Sequence, residues 1–95
     1  MVHGTHNSEI DPRNKDVKIF INGEFFHRDD AKISVFDSGY LIGDGVWEGM
    51  RLHNDVVVFI DLHLNRLWHS AKAIGMNLIF TKEDLVNDIQ KTLAV

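Results

Sequence analysis

Residues 51–75, RLHNDVVVFIDLHLNRLWHSAKAIG, change their hydrophobic period partway along. That change sets the fold class. Arg51-Leu52-His53, the polar pair Asn54-Asp55 and the β-branched run from Val56 to Ile60 read as strand, turn and strand. Beyond Asp61 the apolar residues recur at Leu64, Leu67, Trp68, Ala71 and Ile74, the spacing of an α-helix from Leu62 to Ile74. Asp61 is placed to cap that helix, and Gly75 can take the left-handed conformation that stops it. Hairpin and helix side by side predict an α+β chain.

Outward from this segment the same two patterns recur. Toward the C-terminus, the Thr81 hydroxyl can accept from a backbone N–H near Asp84, and Leu85, Ile89 and Leu93 mark the buried stripe of a second helix. This helix runs into Leu93-Ala94-Val95 with no glycine, proline or polar tail, which predicts a fragment or an excised domain. Toward the N-terminus, Val17–Ile21 and Glu24–His27 flank Asn22-Gly23, the dipeptide suited to a tight I′ turn. Lys32–Phe36 alternates, with Ile33 and Val35 on one side and Ser34 on the other, and reads as a third strand. The expectation is a small, mainly antiparallel sheet of hairpins packed against two or three helices. Residues 1–16 are polar and aperiodic and read as a flexible arm, with His3 and His6 solvated, ahead of one domain over 17–95.

Composition bounds the function. In 95 residues, 10 Lys and Arg against 14 Asp and Glu leave a net charge of −4, so clustered phosphate contacts of the kind nucleic acid requires are not expected. There is no cysteine, which excludes disulfides, thiolate metal sites and cysteine nucleophiles. Neither a signal peptide nor a membrane-spanning apolar run is seen, so the expectation is a soluble cytoplasmic protein without a membrane partner. A domain of this size buries roughly 60–65% of its extended surface, enough for one core, so a sizeable active site needs a partner surface.

The densest segment is Asp37-Ser38-Gly39-Tyr40-Leu41-Ile42-Gly43-Asp44-Gly45-Val46-Trp47-Glu48-Gly49. Its glycines have neither the spacing of a dinucleotide fingerprint nor that of an EF-hand loop. One reading is a glycine-rich turn from a strand into a short helix beginning near Val46. The other is a ligand pocket walled by Tyr40 and Trp47, because aromatic rings beside glycines often line such pockets. Arg66 falls opposite the main stripe of the first helix, near Leu62 and Ala73. It is either a solvated surface residue or part of a seam covered by another domain, where its planar fork suits a phosphate or carboxylate. His63 and His69 share no face and no HExxH occurs, so a metal site is not expected, and His27 and His53 read as ordinary strand-end residues. Asp29-Asp30 and Glu83-Asp84 need no catalytic role.

Four ordered blocks carry a family resemblance: Phe20-Ile21-Asn22-Gly23-Glu24-Phe25; Ala31-Lys32-Ile33-Ser34-Val35; Gly43-Asp44-Gly45-Val46-Trp47-Glu48-Gly49-Met50-Arg51; and His63-Leu64-Asn65-Arg66-Leu67 with Ser70-Ala71-Lys72. The run from Ile19 to about Leu78 resembles the N-terminal part of class IV aminotransferases, the pyridoxal-phosphate enzymes that include branched-chain and D-amino-acid transaminases and aminodeoxychorismate lyase. The resemblance implies that Arg66 binds the cofactor phosphate and that Trp47 lines its substrate side. It gives Gly49 a place where side-chain size sets substrate tolerance, and it puts Ile42 where branched-chain relatives carry a tyrosine. Tyr40, Glu48 and Arg51 are implied to lie near the site.

The resemblance also implies amino-acid and 2-oxo-acid substrates and a homodimer in the full-length enzyme. The Schiff-base lysine and the acidic partner of the pyridine nitrogen would both lie in a C-terminal domain. None of Lys15, Lys18, Lys32, Lys72, Lys82 or Lys91 matches that lysine, so no catalytic residue is assigned and the chain alone is expected to be inactive. Two alternatives stand beside a transaminase fragment: a lyase fragment of the same family, and a non-catalytic binding or dimerisation module on the same scaffold.

Overall fold

The computed structural model describes residues 11–95. Of the expected N-terminal arm, residues 1–10, with His3 and His6, lie outside the described residues. The chain divides into two units, one holding the residues up to Lys32 together with Asp88–Val95, the other Ile33–Asn87.

In the first unit a 3₁₀ turn, Pro12–Asn14, precedes strands β1 (Lys18–Ile21) and β2 (Glu24–His27), which pair antiparallel with Ile21 opposite Glu24. Asn22 and Gly23 both have positive φ, 50° and 89°, the handedness that a two-residue I′ turn requires. Phe20 and Phe25 meet edge to face at 5.1 Å between ring centroids. Residues 11–16 are bonded to this hairpin. The Asp16 carboxylate lies 3.1 Å from His27 Nε2, and Arg28 Nη1 donates to the Asn14 carbonyl at 3.0 Å.

The second unit contains α1 (Ser38–Ile42), β3 (Leu52–His53), β4 (Val56–Val57) and α2 (Ile60–Ala73), and α3 (Lys82–Leu93) begins within it. The α+β class therefore holds, with two separate two-stranded antiparallel hairpins and three α-helices among the described residues. Several local expectations are corrected. Residues 32–36 form no strand, because the Ser34 hydroxyl accepts from Phe36 N–H and the Ser34 carbonyl from Asp37 N–H, a local turn that consumes the donors a ladder would need. Ile33 and Val35 are exposed. The short helix lies in the first half of the glycine-rich segment and does not start near Val46. Asp37 caps α1 by accepting from Gly39 and Tyr40 N–H, and Gly43, at φ 70°, ends it.

The strand expected from Val56 to Ile60 stops at Val57, and Asp61 lies inside the first turn of α2. The capping position belongs to Phe59, which has no side-chain capping bond and adopts the left-handed conformation, φ 56° and ψ 38°. This costs an L-residue about 1–2 kcal/mol. It is pinned from both sides: Val58 N–H donates to the Arg51 carbonyl at 2.8 Å, and the Phe59 carbonyl accepts from His63 N–H at 3.0 Å. At the other end of α2 the expected stop is present. Gly75, at φ 71°, donates to Lys72 O, and Met76 N–H donates to Ala71 O, the paired bonds of a Schellman turn. A Cβ at Gly75 would meet nothing within 4 Å. Gly75→Ala is therefore expected to cost about 1 kcal/mol, from backbone strain without a clash, as read from the urea midpoint.

Among the described residues the buried apolar ones are Leu64 and Ala71, two turns apart on α2 and each 2% exposed. Trp68 on the same helix meets Phe80 edge to face, and Lys82 lies over the Trp68 ring while donating to Asn65 Oδ1 at 2.8 Å. Thr81 and Asp84 cap α3 reciprocally, each side chain accepting from the other's N–H, at 3.0 and 2.9 Å. Of the stripe expected on α3, Leu85 and Ile89 are half-buried and Leu93 is exposed.

Candidate active site

Glu48, at the end of the glycine-rich segment, reaches α2 and meets two of its side chains. Arg66 Nε donates to Oε2 at 2.8 Å and Nη2 to Oε1 at 2.6 Å, a side-on bidentate pair. His63, one turn before Arg66, places Nδ1 2.6 Å from Oε1. A carboxylate can only accept, so the proton in that contact sits on Nδ1, and Nδ1 then has no lone pair for Arg66 Nη2, which lies 3.3 Å away. The Glu48 side chain is 7% exposed and that of Arg66 65% exposed. The carboxylate is thus enclosed under a guanidinium whose outer side is open. Nη1 has no partner among the described residues.

Hydrogen bonds from Arg66 and then His63, with their charges adding, hold the Glu48 carboxyl down at about 2, from the usual 4.5. A depressed carboxyl pKa stabilises the folded state above its unfolded value and loses that contribution as pH falls through the folded one. The stability contributed by the Glu48 to α2 tie is therefore expected to be full above pH about 4.5 and to decline below it, while the tie itself releases as the carboxyl protonates near pH about 2. The Glu48 side-chain carboxyl chemical shift, followed by NMR, reads this directly. A titration midpoint at the ordinary carboxylate value would contradict the pairing.

Phe59, Leu62, His63 and Arg66, at positions i, i+3, i+4 and i+7, line a recess of about 320 Å³ along the start of α2. A larger recess, about 500 Å³, lies near the other end of the helix around Trp68, Lys72 and Met76, and holds neither Arg66 nor the glycine-rich segment.

Among the expected site residues, the structure joins Glu48 to Arg66 across 18 positions of sequence. Trp47 covers Gly49, where an added Cβ would lie 3.4 Å from the indole Cζ3. Trp47, Ile42 and Tyr40 are 83%, 79% and 66% exposed, so no closed pocket forms around them within this chain. Gly49 and Arg51 are exposed too, and the Arg51 side chain makes no hydrogen bond or ion pair among the described residues. The sequence reading assigned His63 no site role. Its position three before Arg66, on the same helix face, was the available signal. Among the described residues no cluster of three His, Asp or Glu could hold a metal, and no helix is long and apolar enough to cross a membrane.

The family described as amino-transferase class IV matches residues 45–95, and the chain belongs to that family. A Methanocaldococcus jannaschii protein named "Putative branched-chain-amino-acid aminotransferase" is 44% identical over 79 residues, 83% of this chain and 27% of the relative. The D-alanine aminotransferase of Staphylococcus epidermidis is 40% identical over 76 residues, 80% of this chain and 27% of the relative. Branched-chain-amino-acid aminotransferase-like protein 2 of Arabidopsis thaliana is 40% identical over 82 residues, 86% of this chain and 15% of the relative. The chain thus spans about a quarter, or less, of the length of these relatives.

Proposed function

We propose that this chain is the cofactor-anchoring N-terminal part, over residues 17–95, of a pyridoxal-phosphate-dependent aminotransferase that moves an amino group between an amino acid and a 2-oxo acid. The observation that carries this reading is the Glu48-braced fork of Arg66. The donor set fits the cofactor's phosphate: Nε and one side of Nη2 are spent on Glu48, while Nη1 remains for a second, doubly charged anion. The recess beside it holds apolar side chains and no second carboxylate, which suits a phosphate carried on an aromatic ring.

Bound there, pyridoxal phosphate supplies the carbonyl that takes up the amino group and a ring that withdraws electrons from the substrate carbon. The chain's own residues bind and orient. Arg66 holds the phosphate, and Glu48 fixes the plane of the guanidinium so that little is lost in ordering it on binding. His63 braces Glu48 in turn. By the same resemblance Trp47 and Tyr40 wall the substrate side, Gly49 stands where residue size sets the tolerance for a substrate side chain, and Ile42 and Arg51 lie near the pocket. The exposed Phe36, Ile42 and Trp47 support a further protein surface over this unit, from the rest of a longer polypeptide or from the second subunit of a homodimer. The proton-transfer lysine belongs to that remaining part.

Titration of the chain with pyridoxamine 5′-phosphate, followed by backbone amide NMR, tests the reading. This probe has no aldehyde to react with the six lysines. Shifts centred on residues 59–66 that vanish with phosphate-free pyridoxamine are expected. Equal binding of the two compounds would remove the anchoring role.

A further inference from the structure

Four residues other than glycine have positive φ among the described residues, and three of them, Asn22, Asn54 and Asp55, sit in hairpin turns and are of types that tolerate it. The fourth is Phe59, whose ring gains nothing from the conformation inside this chain, since the residue is 69% exposed. Glycine or asparagine would make the same strand-to-helix reversal with less strain. A bulky residue kept in a strained conformation, with its side chain outside the core, points to a role in binding.

The neighbourhood says what it would bind. Phe59 opens the i, i+3, i+4, i+7 row that ends at Arg66, and both it and the 65% exposed Leu62 line the recess beside the guanidinium. Resting on the reading of Arg66 as a phosphate anchor, we propose that Phe59 is a binding residue: its ring is the apolar wall of the Arg66 recess and covers the phosphate-bearing end of a phosphorylated aromatic ligand. An apolar wall displaces water from the guanidinium–phosphate contact, and the charge-assisted bonds are stronger in the lower local dielectric. The left-handed backbone at Phe59 is what carries the ring to that side of the helix start.

The test uses three variants, Phe59→Gly, Phe59→Tyr and Arg66→Ala, with two readouts: the affinity of the chain for pyridoxamine 5′-phosphate by NMR titration, and the thermal midpoint of the unliganded chain. Phe59→Gly is expected to bind about tenfold more weakly, the loss of part of one aromatic side chain's burial, with a midpoint equal to or above the parent's because the strain is relieved. Phe59→Tyr, which keeps the ring, is expected to retain the parent's affinity. Unchanged affinity in Phe59→Gly overturns the proposal, and so does a lowered midpoint, which would mean that the ring packs within the fold. If Arg66→Ala binds as well as the parent, the phosphate reading itself has failed. If Arg66→Ala is weakened while Phe59→Gly is not, only the role of Phe59 is lost.

Discussion

Arg66→Ala is expected to weaken pyridoxamine 5′-phosphate binding by about 10- to 100-fold, with phosphate-free pyridoxamine unaffected. Hydrogen bonds to charged groups contribute about 1.5–3 kcal/mol net, and 1.4 kcal/mol is a factor of ten. The substitution removes the whole fork, both the edge that Glu48 holds and the Nη1 side left for the anion. Arg66→Lys restores the charge but not two parallel donors, and its affinity should fall between parent and alanine. Glu48→Gln supplies the complementary case. The guanidinium keeps its charge and loses the carboxylate that orients it, so the ligand is still held, but less tightly. NMR titration of all four proteins decides the matter, and identical affinity in parent and Arg66→Ala would end the anchoring role.

The largest stability effect belongs to Leu64→Ala. Deleting a fully buried leucine side chain costs about 2–5 kcal/mol, the lost transfer energy plus that of the cavity left behind. Leu64 is 2% exposed, and with Ala71 it forms the fully buried apolar pair of α2. Small domains have only about 5–15 kcal/mol in total, so this one substitution removes a large share. Leu62, two positions earlier on the same helix, is 65% exposed, and Leu62→Ala should change stability by no more than about 0.5 kcal/mol. Urea denaturation of both variants gives the comparison. Equal destabilisation would mean that Leu62 is packed as deeply as Leu64.

The parts of the fold that could be read in advance are those whose physics is local. Asn22-Gly23 makes an I′ turn because both residues accept positive φ, and Gly75 ends α2 because it alone among its neighbours takes φ 71° without strain. Thr81 caps α3 through a bond to a residue three positions on. The strand expected over 32–36 was lost to an equally local competitor, the Ser34 side chain, which alternation of apolar residues does not reveal. The site was legible in its residue types. The helical period puts Arg66 off the main apolar stripe, and the glycine-rich segment stands out by composition.

What the sequence by itself determined, then, is most of the elements: one hairpin of each turn chemistry, the two longer helices with the stop of the first, and a guanidinium placed away from the core. Only the tertiary structure decided that Glu48 crosses 18 positions to brace Arg66, that His63 joins them, and that Phe59 turns left-handed to start α2. The reason is range. Turns and caps close within a few residues and are set by which φ and which hydrogen bond each residue type allows. A buried carboxylate meets its partner only after packing has brought two distant segments together, and no period in the chain records that.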